Sequence, residues 1–150
     1  YPAWKLIIVG DGPMRQEIEA YVKKQRIKRI EFVGQQDPAP YYDRASILCI
    51  TSTYEGLPTV CGEALVHVVV PFSFESFGSV KDLITNDYNG IVVRPYNIKS
   101  YAKKIMQLMG NSEILVEIQN NILIDNSFRA KFAMDAILSK WELLFNGLRL

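Results

Sequence analysis

Short apolar runs, each stopped by glycine or a small polar residue, alternate with stretches of helix formers along most of this chain. The runs are "KLIIVG" (5–10), "IEFVG" (30–34), "SILCITS" (46–52), "VVVPFSF" (68–74) and "IVVR" (91–94). Their shortness and continuous apolarity predict strands covered on both faces, which is the habit of parallel sheets. Between them, Pro13 stands where a helix begins and residues 14–26 carry helix formers. Residues 39–45 read as a short helix or turn, and 59–68 and 79–85 as helices, the latter with Ser79 and Asp82 at the spacing of a capping box. "YNG" (88–90) marks a turn, and from about 97 the sequence reads as helical to its end. There, Ser127 followed by "FRAKFAMDAILSKWELLF" predicts a capped amphipathic helix with Phe128, Phe132, Ile137 and Trp141 as packing residues. Strand and helix taking turns at this pace imply βαβ units and right-handed crossovers. The expected fold class is α/β: a Rossmann-like doubly wound parallel sheet with helices on both faces and a helical C-terminal tail. With 150 residues, one domain over 1–150 has enough chain for a proper core.

Charge and cysteine usage remove several function classes. Seventeen Lys and Arg against sixteen Asp and Glu leave a formal charge of +1, so nothing electrostatic points to nucleic acid. No apolar run approaches the ~18 residues that a membrane span needs. The chain opens directly on "WKLIIVG", without methionine or signal peptide, and reads as a piece of a longer protein. Cys49 and Cys61 form no CxxC pair and have no histidine beside them, so they read as reduced thiols of a cytoplasmic protein; no metal and no cofactor are expected. His67, the only histidine, has no acid or thiol at triad spacing and reads as a helix-face residue. "KKQRIKR" (23–29) reads as a solvated basic face, with contact to anionic lipid as the alternative.

Doubly wound sheets bind ligands beyond the carboxyl ends of their strands. Three loops qualify: "GDGP" after the first run, "TSTYEGLPT" after the third and "FESFGSV" after the fourth. The first lacks the third glycine of a dinucleotide fingerprint, since Arg15 stands there, and the second run ends in Gly34 and Gln35 without the expected acid. A nicotinamide site is therefore not expected. A tight turn accounts for Gly10 and Gly12, although free amides there have the means to face a ligand. The second loop holds more chemistry. With Thr59 as N-cap, the amides of Val60, Cys61 and Gly62 point out of a helix start, a place that favours phosphate. Glu63, one turn further in, repels phosphate but suits vicinal hydroxyls such as those of a ribose. Glu55 stands in the loop on the other side, Gly56 allows close backbone approach and Pro58 stiffens the turn. The arrangement reads as hydroxyls, diphosphate, hydroxyls. Equally open from spacing alone is that Glu63 only complements the helix dipole and Glu55 is a solvated loop acid.

"EGLPTVCGEA" resembles the E-x7-E motif of the family 4 retaining nucleotide-sugar glycosyltransferases, which have the two-domain GT-B fold. "WKLIIVGDGP", "IEFVGQQ", "YYDRASILCITSTYEGLP" and "FGSVKDLITNDYNGIVV" look like successive segments of that family's C-terminal, donor-binding domain. The resemblance implies that Glu55 contacts the donor sugar and Glu63 the ribose. It also implies that the stretch Gly56, Leu57, Pro58, Thr59 and Val60 holds sugar and diphosphate, while Val33 and Gly34 flank the base. Glu55 and Glu63 would be the pair at the reaction centre, yet neither need be a nucleophile, because the leaving diphosphate itself can assist the incoming hydroxyl. The implied partners are a nucleoside-diphosphate sugar, UDP- or GDP-linked, and an N-terminal acceptor domain. The implied setting is polysaccharide, lipopolysaccharide or glycolipid assembly, cytoplasmic or peripheral to a membrane. Two departures stand out. The family's domain begins with one more strand and an Arg-x4-Lys pair that neutralises the diphosphate, and this chain starts after them, so by itself it is expected to be inactive. The family also often has glycine before the proline of the fourth strand, where this chain reads "VHVVVP". The alternatives are a nucleotide-sugar epimerase on the same fold, a glycosidase using Glu55 and Glu63, and a non-catalytic α/β nucleotide-binding module.

Overall fold

The computed structural model describes residues 1–125 and 127–147. In chain order these form β1 (Leu6–Val9), α1 (Arg15–Lys24), β2 (Ile30–Gly34), α2 (Ala39–Tyr42), β3 (Ile47–Ile50), α3 (Thr59–Val66) and β4 (Val70–Phe74). There follow α4 (Val80–Leu83), β5 (Ile91–Val93), α5 (Ile98–Gly110), α6 (Ser112–Ile124), α7 (Ser127–Phe132) and α8 (Met134–Gly147). Every strand pair is parallel, as the alternation predicts, but the strands lie in two sheets, β1-β2 and β3-β4-β5. The chain correspondingly divides into two compact units, Tyr1–Arg44 and Ala45–Leu150.

In the first unit, β1 and β2 pair from Leu6↔Ile30 to Val9↔Gly34, with an irregularity after Ile8. Gly34 takes φ +74, a left-handed conformation that a side chain resists, and lets its carbonyl accept from Gly10 N at 2.7 Å. Arg15 is held between Asp11 (3.0 Å) and Glu19 (2.8 Å). Tyr42 is the one buried hydrophobic residue among those described in this unit.

The core belongs to the second unit. β4, "VPFSF", is buried along its whole length between β3 and β5, in register Ile47↔Val70 and Phe72↔Ile91. Gly90 lies against Pro71: a β-carbon added there would stand 2.7 Å from Pro71 O and 2.9 Å from Ile84 Cγ2. α5 is fixed to the sheet by Tyr101, whose hydroxyl donates to Phe72 O at 3.0 Å and whose ring meets Phe72 edge-on at 4.5 Å. Burial and the nearby Cys49 thiol push the Tyr101 hydroxyl well above its ordinary range. α6 buries Leu115, Ile118 and Ile122. The starts of α5 and α6 are capped by Asn97, accepting from Ser100 N at 2.9 Å, and by Asn111, accepting from Glu113 N at 3.0 Å.

Three expectations change. α3 ends at Val66, and Val68 just beyond it adopts φ +59, so a β-branched residue occupies the left-handed position for which glycine is suited. Ser79 makes no side-chain cap: Asp82 N bonds the Ser79 carbonyl at 3.1 Å, and Ser79 Oγ is buried without a partner. The single amphipathic helix expected after Ser127 is broken into α7 and α8, and Ser127 is itself the first residue of α7. Its amide donates to the Asp125 carboxylate at 2.8 Å, and the Ser127 hydroxyl together with that bond holds Asp125 below its ordinary pKa. Phe128 and Phe132 do pack, whereas Trp141 is 52% exposed and α8 buries none of its residues. The last three positions of the helical reading lie outside the described residues. No described helix is long and apolar enough to cross a membrane.

Candidate functional site

The predicted residues fall into two groups, one in each unit. In the first unit, Gly10 and Gly34 form an isolated antiparallel bridge, and Val33 precedes Gly34 at the end of β2. Two amides of the "GDGP" loop are taken within the protein. Gly10 N donates to Gly34 O, and Gly12 N donates to Asp11 Oδ1 at 2.8 Å, because the short Asp11 side chain folds back on the turn. What Gly10 and Gly12 leave open is space, since nothing lies within 4 Å of an added β-carbon at either.

In the second unit the loop from β3 to α3 carries Glu55 and leads into the helix. Its conformation is fixed from the neighbouring loop: Ser76, just after β4, donates its hydroxyl to Ser52 O at 2.5 Å. The "TSTYEGLPT" and "FESFGSV" loops are thereby joined at the carboxyl edge of the sheet, as a doubly wound topology requires. Glu55 is half-buried in this loop, and Gly56 is exposed with open space where a side chain would be. Pro58, not Thr59, is the N-cap. Pro58 has extended backbone (ψ 98) and no side-chain oxygen, and Thr59 is the first helical residue. Cys61 N is taken by Pro58 O at 3.0 Å, so that amide is not available to an anion as expected. Inside the helix Cys61 is fully buried, and burial pushes its thiol up to about 12, which makes it a packing group without nucleophilic character at neutral pH.

Glu63 is exposed on the second turn, and it opens onto a cavity of about 330 Å3. Leu57, Pro58 and Thr59 line its rim, whereas Glu55, Gly56 and Val60 do not. His67, the helix C-cap, lies one turn beyond Glu63 on the same face and lines the cavity too. The remaining lining includes Gly62, Leu83, Phe128 and Phe132, none of which the motif singles out for a ligand. For the two phenylalanines the signal was their i,i+4 spacing, which reports a common face but not what that face meets. Among the described residues no cluster of His, Cys, Asp or Glu could hold a metal ion. The cavity thus offers one carboxylate and one imidazole at the edge of an otherwise apolar hollow, next to a helix start.

The family model of the glycosyl transferases group 1 matches residues 1–124. The chain belongs to this family. A relative in Campylobacter jejuni, the GalNAc-alpha-(1->4)-GalNAc-alpha-(1->3)-diNAcBac-PP-undecaprenol alpha-1,4-N-acetyl-D-galactosaminyltransferase, is 35% identical over 119 residues, which are 79% of this chain and 33% of that protein. Among solved structures, a mutant of S. aureus TarM in complex with Fondaparinux, alpha-GlcNAc-glycerol and UDP superposes with TM-score 0.85 at 26% identity, over 97% of this chain and 29% of that one. The C-terminal domain of a glycosyl transferase group 1 family protein from Francisella tularensis has the same fold, with TM-score 0.72 at 23% identity over 94% of this chain and 71% of that one. The Rossmann-like α/β class and the GT-B resemblance are therefore both met. This group 1 glycosyltransferase chain spans about a third of the length of the Campylobacter relative it matches.

Proposed function

We propose that this chain is the donor-binding part of a retaining glycosyltransferase that moves a sugar from a nucleoside diphosphate to an acceptor hydroxyl. The observation that carries the reading is Glu63, exposed one turn inside α3 and opening onto a cavity whose rim is Leu57, Pro58 and Thr59. A carboxylate at that depth suits ribose hydroxyls, and the helix start before it suits phosphate. UDP bound to a relative 26% identical in the compared region supports a nucleotide partner. In this reading Glu55, half-buried beside the open backbone at Gly56, meets the transferred sugar. Gly10, Gly12, Val33 and Gly34 keep their implied donor role as part of the same proposal. Retention follows if the leaving diphosphate assists the incoming hydroxyl on one face of the sugar, so neither glutamate acts as nucleophile.

The test is a thermal-shift and titration panel of UDP, GDP and ADP. At a hundred times its Kd the matching nucleotide is expected to stabilise the fold by about 2.7 kcal/mol. Glu63→Gln is expected to bind more weakly and to lose discrimination against the 2′-deoxy nucleotide. Glu55→Ala is expected to spare free nucleotide and reduce the advantage of the nucleotide sugar. No shift with any of the three nucleotides at millimolar concentration would overturn the reading.

A further inference from the structure

The cavity beside Glu63 has two walls, and the second belongs to no assigned site. Its volume of about 330 Å3 lies at the small end of ligand pockets. The first wall is one face of α3, where Thr59, Gly62, Glu63, Val66 and His67 recur at helical spacing. The second is α7. Phe128 and Phe132 stand four residues apart with ring centroids 4.9 Å apart and planes tilted by 40°. α7 comes this close because position 62 has no side chain: a β-carbon there would lie 3.1 Å from Phe128 Cζ. Polar contacts hold α7 in place. Arg129 Nη2 donates to Val66 O at 3.4 Å, and Lys131 Nζ donates to Asp82 O at 3.4 Å.

Two half-buried rings lining the same hollow as a carboxylate are suited to a saturated sugar ring. Such a ring has apolar C–H faces, which gain by lying on an aromatic surface, and a rim of hydroxyls, which need acceptors. We propose that α7 is the aromatic wall of the donor site, with Phe128 and Phe132 taking the C–H face of the nucleotide's ribose while Glu63 accepts from its hydroxyls. This assignment rests on the donor reading above, to which it adds Phe128, Phe132 and Gly62 as affinity-determining residues.

The experiment is calorimetric titration of the 150-residue chain with UDP, GDP and ADP, comparing wild type with Phe132→Ala, Phe132→Tyr and Gly62→Ala. Far-UV circular dichroism melts establish that each variant is folded. Removing the Phe132 ring is expected to raise Kd for the preferred nucleotide about tenfold, while the tyrosine variant keeps it within about threefold. Gly62→Ala, which pushes Phe128 outward, is expected to weaken binding several-fold. Wild type that binds while Phe132→Ala binds equally well overturns the aromatic wall and leaves the donor reading intact. Tighter binding by Gly62→Ala also overturns it, because α7 would then obstruct the cavity instead of lining it. If Phe132→Ala fails to fold, Gly62→Ala and Phe132→Tyr decide by the same criteria. Wild type that binds none of the three nucleotides removes both proposals.

Discussion

At the scale of single residues, Val68 shows what a β-branched side chain costs where the backbone favours glycine. Its φ of +59 follows the end of α3, and its carbonyl accepts from Gln119 Nε2 at 3.4 Å, so the turn is held from outside. An L-residue in the left-handed region costs roughly 1–2 kcal/mol, and asparagine tolerates it best among residues with a side chain. Val68→Asn is accordingly expected to raise stability by about 1 kcal/mol, read as a higher urea midpoint at unchanged slope. The sequence contains the substitution but not the strain, because φ is set by how α3 must turn into β4. Cys61 gives a pH signature. Its thiol is held protonated up to about 12 in the folded chain, against 9.0 when exposed. The folded state therefore retains a proton that the unfolded state releases. The stability from this group is complete below pH 9 and is lost as pH rises from 9 towards 12. Thermal melts across that window are expected to show a steeper alkaline fall for wild type than for Cys61→Ala.

At the scale of elements, the strands and the first helix starts were legible, whereas the capping residues were not. β2 has the predicted bounds, and the other strands are shortened at their ends, because continuous apolar runs report burial on both faces. Capping depends on backbone geometry as much as on residue type. Ser79 has φ −69 and ψ −9, already helical, so its hydroxyl cannot reach the amides that a cap serves. Asn97 and Asn111, with ψ 77 and 96, hold the non-helical backbone a cap needs, and both cap. Thr59 failed for the same reason, since it is already the first helical residue and Pro58 before it is the extended one. The junction of α4, β4 and β5 is the tightest fit among the described glycines. Gly90→Ala would press its methyl onto Pro71 O and Ile84, and backbone cannot yield as a side-chain tip can. A loss of about 1–3 kcal/mol is expected, measured by denaturant unfolding.

At the scale of the whole molecule, Glu63 stood out in the sequence as a candidate ligand acid, while the approach of α7 to the same cavity did not, because α7 reaches α3 through contacts more than sixty residues apart in sequence. The division into two sheets was also beyond a local reading, since the apolar runs do not say which strand each will pair with. Stability is unequally shared. Nearly all buried hydrophobic residues among those described lie from Ile50 onward, whereas residues 1–44 bury Tyr42 alone. Units of that size with so little apolar burial are marginal. Hydrogen exchange is therefore expected to be fast in β1, α1 and β2 and slow in β3, β4, β5 and the buried faces of α5 and α6. Uniform protection across both units would contradict this. Trp141, half exposed on α8 and stacked on Phe145 at 5.6 Å, gives the molecule its own optical gauge. An indole in water emits towards the red and is quenched by iodide, and it shifts to the blue once apolar surface covers it. With Trp4 replaced by phenylalanine, the colour of this protein's fluorescence would report, without any label, whether α8 stands in solvent or has been covered.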